Sequence, residues 1–284
     1  MFLQIHTLTA YPASLLNRDD AGLAKRIPFG NAVRLRVSSQ CLKRHWREDL
    51  APRLPDVPDG YRTRSFFTRA VLPRASALGL PPEQSQKLIE VLIDAFTKSS
   101  DDKDGEGKGK KKREEAKKKG IDISQPIFFS AKEADYFADM LKWAGEQTNP
   151  EKALAARLEK EKANIKAMSK SAAGLTAALF GRMVTSDLLA RVDAPVHVAH
   201  AFSVHAASTE MDYFSVIDDL SREEETGSAH NNQTEIGAGL YYGYVAVDVP
   251  LLVSNLTGCE AKDWKAQDGS TARRVLEALI DSIL

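Results

Sequence analysis

The chain has 284 residues, 43% of them hydrophobic, and its 39 lysines and arginines balance its 39 aspartates and glutamates. This composition suffices for a substantial buried core, and no apolar run approaches the roughly 20 residues of a membrane-spanning helix. Two cysteines are too few for a disulfide framework and the first residues show no signal-peptide pattern, so the sequence predicts a cytoplasmic protein with no membrane partner.

Two strands and a helix are predicted first. Alternation of apolar and polar residues predicts strands over 3–10 and 32–38. The second strand runs into a helix over 38–50, and either Ser38 or Ser39 is placed to cap its first turn. The apolar line of this helix comprises Leu42, Trp46 and Leu50.

Residues 34–48 form a cationic strand-to-helix corner, called the basic corner below, with five basic residues against the single acid Glu48. Gln40, Lys43 and Arg47 share one stripe of the helix. Helix N-terminal amides beside lysine and arginine are typical of a phosphate-binding surface. The basic corner is therefore interpreted either as a surface that holds a polyanion backbone or as an ordinary solvated face.

The middle of the chain reads as largely helical. Residues 62–97 and 130–187 are predicted to be mostly helix, and between them residues 101–122 form a low-complexity charged segment. Such a segment cannot build a core. It is interpreted either as a solvated linker or as a non-specific nucleic-acid tether.

Strand character returns at 194–206 and 239–249, and residues 271–284 form an amphipathic helix. The order matches the start of a βαββαβ ferredoxin-like or RRM-like domain, without its final strand. The three histidines of 194–206 are not expected to share a metal, because residues three apart on a strand face opposite sides. Dinucleotide, Walker and nucleophile-elbow motifs are also absent, so the sequence predicts no cofactor.

Five segments occur in an order that resembles a known family: LLNRDD, RLRVSSQCLKRHWR, AALFGRM, MDYFSVIDDL and GSAH. They resemble the CasC family, the repeated backbone subunit of the type I-E CRISPR Cascade complex in the RAMP superfamily. The resemblance implies an α+β fold with an RRM-like (ferredoxin-like) palm, an inserted helical finger domain and a β-hairpin thumb. It assigns the palm to 1–50, 191–205 and the incomplete 237–284, the fingers to 51–190 and the thumb to 206–236.

The resemblance also implies a non-catalytic function in antiviral defence. Copies of the chain are expected to polymerise head to tail along the crRNA spacer and to display guide bases for pairing with a target DNA strand. The other expected partners are the large, small and guide-end-capping Cascade subunits.

Site residues follow from matching positions. Seven are expected to contact the guide backbone: Arg18, Lys25, Ser38, Gln40, Lys43, Arg44 and Arg47. Met183 is expected beside a displaced base, and Tyr213 and Phe214 are expected to stack on or wedge against bases. Ordinary core packing is the alternative for Met183 and Phe214. Asn231 departs from the family pattern, since an apolar residue is expected at the thumb tip.

Residues 209–235 carry eight acids and one base. Either the acids of the tip face basic groups of a neighbouring copy and set its register, or they form a solvated tip. The acids in question are Asp218, Asp219, Glu223, Glu224 and Glu225.

Two other functions remain as alternatives. The first is a RAMP ribonuclease, in which His6, His45 or Asp19 would have to act, although the sequence shows no local acid–base cluster for it. The second is a generic RRM-type binder, which is disfavoured because the aromatic RNP1 pattern is absent.

Overall fold

The structure is a computed structural model that describes residues 1–97, 122–123, 125–171, 174–184, 186, 188–216 and 230–284. The chain divides into two compact units. The helical unit comprises Met1, Leu50–Val196 and Asp248–Leu279, and the sheet unit comprises Phe2–Asp49, His197–Val247 and Ile280–Leu284. In the described part of the chain, no helix combines the length and the apolar character that crossing a membrane requires.

The described strands are, in chain order, β1 (Phe2–Ser14), β2 (Arg26–Phe29), β3 (Ala32–Val37), β4 (Gly60–Thr63), β5 (Ile127–Ser130), β6 (Val196–Val198), β7 (Ala201–Ser203), β8 (Thr209–Val216) and β9 (His230–Asp248). The main sheet has the order β1-β9-β7-β3-β2, and β6 and β8 also pair with β9. The pairs β2–β3, β3–β7, β7–β9 and β8–β9 are antiparallel. The fold is therefore a mixed α+β fold with an antiparallel sheet.

The described α-helices are α1 (Ser39–Arg53), α2 (Leu72–Ala77), α3 (Pro82–Thr97), α4 (Ala131–Gly145), α5 (Pro150–Lys160), α6 (Lys162–Ser171), α7 (Leu175–Phe180), α8 (Val249–Thr257) and α9 (Ser270–Ile283). A π-helical turn spans Phe67–Val71 and a 3-10 helix spans Ala261–Ala266. The predicted helices over 38–50 and 271–284 are confirmed by α1 and α9.

The inner face of the main sheet is covered by α1. Alternation in β3 buries Leu35 and Val37, which join Ala201 and Tyr241 in one apolar cluster against which Leu42 of α1 packs. Period-two alternation thus selects which face of β3 enters the core, as the sequence predicted. Removal of this apolar surface from water is what holds α1 on the sheet.

Strand β2 was not predicted. It joins β3 through a two-residue turn in which both Gly30 and Asn31 have a φ of 60°. Two successive positive φ values are typical of the type I′ hairpin turn, which glycine and asparagine favour. Val33 lies opposite Pro28 beside this turn and is exposed, although it shares a face of β3 with the buried Leu35 and Val37.

The helical unit has an aromatic core. The ring of Phe66 stacks on that of Phe129 with centroids 3.9 Å apart, and Phe67, Phe96 and Phe137 make edge or tilted contacts around them. All five side chains are buried. Phe129 belongs to β5, which pairs with β4 through Gly60–Ser130 to Thr63–Ile127. This two-stranded sheet interrupts a region that had been predicted to be mostly helical.

The predicted strand over 194–206 is divided in two. β6 ends at Val198 and β7 begins at Ala201, and the intervening His200 makes hydrogen bonds to the basic corner. The predicted strand over 239–249 is the second half of the longer β9. The first half of β9 pairs with β8 to form a hairpin.

Candidate nucleic-acid interface

Ser38 fixes the point at which β3 becomes α1. Its hydroxyl oxygen accepts a hydrogen bond from the Cys41 amide at 3.2 Å, and its own amide donates to Asn17 Oδ1 at 3.0 Å. The residue is only 5% exposed. The predicted N-cap is therefore confirmed at Ser38, and this serine orients the first turn of the helix.

A loop brings two further predicted residues to this junction. The Arg36 amide donates to the Lys25 carbonyl at 2.9 Å, and the Lys25 amide donates to the Asn17 carbonyl at 2.8 Å. Arg18 forms an isolated bridge with Ala24 in the same loop and its side chain is exposed. The structure thus places Lys25 beside β3, which leads into α1, and Arg18 in the same loop; their contact with a guide backbone stays a prediction.

His200 is the centre of the basic corner. Its Nδ1 accepts hydrogen bonds from the Ser39 amide at 3.3 Å and from the Arg36 guanidinium at 3.2 Å. Burial lowers the pKa of this imidazole. The positive charges of Arg36, Lys25 and Lys43 lower it further. A neutral ring thus lies where three cations converge, which is a surface of positive potential.

Lys43 and Arg47 on α1 are half-buried, and burial lowers the pKa of the Lys43 ammonium. Gln40, on the same stripe, is exposed. Arg44 differs from its neighbours, because its Nε bonds Glu48 Oε1 at 3.0 Å with both side chains exposed. An exposed pair of this kind contributes little stability, but it partly neutralises the charge that Arg44 offers to an anion.

The exposed aromatic residues of the β8–β9 hairpin lie on opposite faces. Tyr213 pairs with Gln233 and Phe214 with Asn232, so these successive residues point to different sides of the ribbon. Tyr213 is 57% and Phe214 41% exposed. Core packing, the alternative considered for Phe214, is therefore wrong.

The root of this hairpin is tied to the loop that carries Lys25. Glu235 Oε2 accepts a hydrogen bond from the Ala24 amide at 2.6 Å, and Oε1 pairs with Arg26, which also donates to Thr209 Oγ1 at 3.2 Å. Glu235 is buried, so this member of the acidic run acts within the chain. The acids from 218 to 225 lie outside the described residues, as does most of the charged segment 101–122.

Met183 belongs to the helical unit and is 81% exposed, so core packing is wrong for this residue as well. The preceding Arg182 is buried and pairs with Val192 through two backbone hydrogen bonds of 2.8 and 3.0 Å. The backbone of Arg182 is thus held in place, and the next residue, Met183, exposes its thioether to solvent.

The residues considered for ribonuclease chemistry do not form one cluster. His6 lies on the outer face of the sheet, where its Nδ1 bonds the Tyr242 hydroxyl at 2.7 Å. His45 lies on α1, which covers the inner face, and it contacts Glu48. Asp19 Oδ1 accepts hydrogen bonds from the backbone amides of its own turn.

His200 was predicted only as a residue that does not share a metal, and its place in the corner was missed. No sequence signal marked it, because 194–206 has the pattern of one continuous strand and the break at 199–200 is seen only in the structure. His200 lies next to Ser39 because β3 pairs with β7, and this pairing cannot be predicted from a single sequence.

Comparison with known proteins gives a family and two structural matches. A family model described as CT1975-like protein matches residues 3–284. A chain of a solved "CRISPR RNA-guided surveillance complex, pre-nicking" is 26% identical with a TM-score of 0.69, and the match covers 98% of this chain and 71% of that one. A chain of a "CRISPR RNA-guided surveillance complex" is 22% identical with a TM-score of 0.50, covering 100% and 60%. No curated protein sequence matches the chain.

Proposed function

Because the chain belongs to the CT1975-like protein family, we propose that it is a guide-RNA-binding backbone subunit of a CRISPR surveillance complex of the Cascade kind. The similarity to chains of CRISPR RNA-guided surveillance complexes supports a CRISPR-associated role. The finer proposal is a CasC-type subunit of a type I-E complex, which acts in the cytoplasm.

The contacts of His200 at the start of α1 are the observation that carries this proposal. Its imidazole accepts hydrogen bonds from the Arg36 guanidinium and from the Ser39 amide of a helix of 15 residues, and the charges of Lys25 and Lys43 also lower its pKa. Positive side chains beside helix N-terminal amides are suited to the phosphates of a nucleic-acid backbone. Contacts of this type carry no sequence information, and a subunit that must accept any guide requires that property.

The hairpin supplies the second part of the proposal. We propose that it is the thumb, and that Tyr213 and Phe214 stack on or wedge against guide bases. Their exposure and their opposite orientation allow a ring on each side of the ribbon to meet a base. Base–aromatic stacking tolerates every sequence, since every base has a π-face. Met183, in the helical fingers, is proposed to pack beside the displaced base.

The proposed palm comprises 1–50, 191–205 and 237–284 with its RRM-like sheet, and the proposed fingers are the helical segment 51–190. Copies of the chain would bind head to tail along the crRNA and leave short runs of guide bases free to pair with a target DNA strand. Base pairing would then supply sequence recognition, as in other RNA-guided systems. Large, small and guide-end-capping subunits would complete the assembly.

We further propose that the chain is not an enzyme. A general acid–base mechanism needs its groups within hydrogen-bond reach of the same atoms. His6 and His45 lie on opposite faces of the sheet, and Asp19 is engaged in its own turn.

The experiment that tests the proposal combines assembly with cleavage. The purified chain is mixed with two guide RNAs of equal length and unrelated spacer sequence, and native mass spectrometry counts the copies on each. We expect several copies on both RNAs. End-labelled RNA incubated with and without divalent metal is expected to stay intact. A single bound copy or a preference for one spacer would contradict the backbone role, and shortened RNA would contradict the non-catalytic role.

A further inference from the structure

The outer face of the main sheet, opposite the face that α1 covers, carries a continuous row of rings. The centroids of Phe29 and Phe202 are 5.0 Å apart, and those of Phe202 and Tyr242 are 5.9 Å apart. The ring of His6 follows at 6.0 Å from Tyr242 and at 4.9 Å from Tyr244. These five side chains, called the aromatic row, extend across β2, β7, β9 and β1.

The aromatic row is not part of the core. Phe29 and His6 are exposed, and the other three rings are half-buried, so each keeps surface in contact with solvent. Their neighbours on β9, Tyr241 and Val245, point to the inner face and are buried. A row of large rings that keeps solvent-exposed surface on one side of a sheet is a candidate binding surface.

Two arginines flank the row. The guanidinium of Arg34 lies 5.8 Å from the centroid of the Phe29 ring, and Arg36 is directly opposite Phe202 in the register of β3 and β7. Arg34 donates to the carbonyl oxygens of Phe29 and Ser203, both at 2.9 Å. Because these acceptors are neutral, they leave the positive charge of Arg34 in place.

The row is continuous with the basic corner. Arg36 donates to His200 Nδ1, which also accepts from the Ser39 amide at the start of α1. A strand whose phosphates lie at the basic corner would thus have the aromatic row directly beside it. Arg36 belongs to both surfaces.

The charges beside the aromatic row favour an anionic partner. In the described strand segments 2–10, 26–37, 201–203 and 240–247, the residues on the outer face include two arginines and no acid. Glu210 and Asp212 of β8 share this face but lie on the hairpin, opposite Ile236 and Thr234. Positive charge interleaved with exposed rings is the combination that binds single-stranded nucleic acid, in which phosphates and bases alternate.

We infer that the aromatic row stacks unpaired bases of single-stranded nucleic acid, while the basic corner, which includes Arg34 and Arg36, holds the phosphates of the same strand. Sheets that bind RNA commonly stack two or three bases on rings of adjacent strands. Tyr242 and Tyr244 share one face of one strand, about 7 Å apart, and suit successive bases. This inference rests on the proposed function, and it adds a base-binding surface distinct from the hairpin aromatics.

A pair of matched substitutions at Tyr242 tests the inference. Tyr242→Val removes the ring at the centre of the row and keeps a residue that favours strands. Tyr242→Phe keeps the ring and loses only the hydroxyl that bonds His6 Nδ1. The full chain is titrated with a short fluorescent oligouridylate and with an RNA duplex of equal length. Melting temperatures are measured in parallel.

We expect the valine variant to bind the single strand about 5- to 150-fold more weakly and the phenylalanine variant to bind it like the native chain. The dependence of affinity on salt should be the same in all three proteins, because the phosphate contacts remain. The duplex, whose bases are already stacked and paired, should show no loss. In Tyr244→Trp, the single strand should quench indole fluorescence and the duplex should not.

Four results would overturn the inference. If Tyr242→Val binds like the native chain while substitutions at the basic corner weaken binding, the inference is wrong and the proposed function stands. If the native chain binds neither RNA, both are wrong. If Tyr242→Val binds RNA normally but no longer self-associates, the face docks protein instead. If the valine variant does not fold, an unquenched Tyr244→Trp decides against the inference.

Discussion

Arg182 and Glu133 form an ion pair in which Nη1 and Oε1 are 2.7 Å apart and both side chains are completely buried. The same guanidinium donates to the Ser169 carbonyl at 2.6 Å and to the Ala190 carbonyl at 3.2 Å. Several segments of the helical unit therefore meet at one side chain. Arg182 directly precedes Met183, so the network also fixes where the exposed thioether is presented.

Substitution of Arg182 by alanine is expected to lower the free energy of unfolding by about 3–5 kcal/mol, because it leaves the Glu133 carboxylate buried without its partner. Denaturant unfolding measures the change. Arg273→Ala is the matched control, since Arg273 pairs with Glu277 at 2.8 Å in a largely exposed pair and its removal should leave the free energy of unfolding almost unchanged. Equal losses in the two variants would contradict a structural role for the buried pair.

Lys43→Ala combined with Arg47→Ala is expected to weaken guide binding equally for unrelated spacer sequences. Each lost phosphate contact should reduce the slope of log affinity against log salt by about 0.7. Titrations at several salt concentrations measure both quantities. Lys262→Ala with Lys265→Ala, which removes two exposed charges from the helical unit, is the control and should change neither. An unchanged slope in the Lys43 and Arg47 variant would show that these residues do not contact the phosphates.

Phe214→Ala is expected to leave the melting temperature almost unchanged and to weaken assembly on RNA or target binding by about 1–3 kcal/mol, since the ring is exposed and available for stacking. Phe137→Ala provides the contrast, because that ring is buried in the aromatic core of the helical unit and its removal should lower stability by about 3–5 kcal/mol. A melting curve beside a binding titration distinguishes the two effects. A large loss of stability in Phe214→Ala would contradict the stacking role.

The stability of the chain is expected to fall with acidification in a way that depends on His200. Burial and the nearby cations lower its pKa in the folded state, so the unfolded chain binds the proton more tightly. The stability that neutral His200 contributes is therefore fully present above its unfolded pKa of about 6.5, and it is lost as the pH falls through the lower pKa of the folded state. The measurement is the free energy of unfolding between pH 5 and pH 8.

The control for this effect is His200→Asn, which keeps a hydrogen-bond acceptor for the Ser39 amide and cannot be protonated in this range. The difference in stability between the native chain and this variant should narrow as the pH falls. A difference that is constant with pH would show that His200 does not titrate between the two states.

The basic corner could be predicted in detail because its determinants are local. Alternation along β3, a serine at the cap and an apolar line along α1 lie within about twenty consecutive residues, and each follows from the geometry of a strand or a helix. The structure adds His200, and it brings Lys25, which was expected only from the family resemblance, to the strand that leads into the corner; both depend on contacts between separate segments.

Elements formed by distant pairing could not be predicted in the same way. β4 has four residues and its partner follows about 65 residues later, with Gly60 opposite Ser130. The aromatic row is a similar case, because Phe29, Phe202 and Tyr242 lie on strands far apart in sequence. Each strand indicates which residues share a face, but only the order of the strands brings the rings together.

Glu235 anchors the root of the β8–β9 hairpin, because the Ala24 amide and Arg26 hold its carboxylate. Phe214 lies opposite Asn232, which is about 10 Å farther along the strand than Glu235. A rotation of about 6° about this anchor would thus move the Phe214 ring by about 1 Å. The position of an exposed ring therefore depends on a buried carboxylate about 10 Å away along the partner strand.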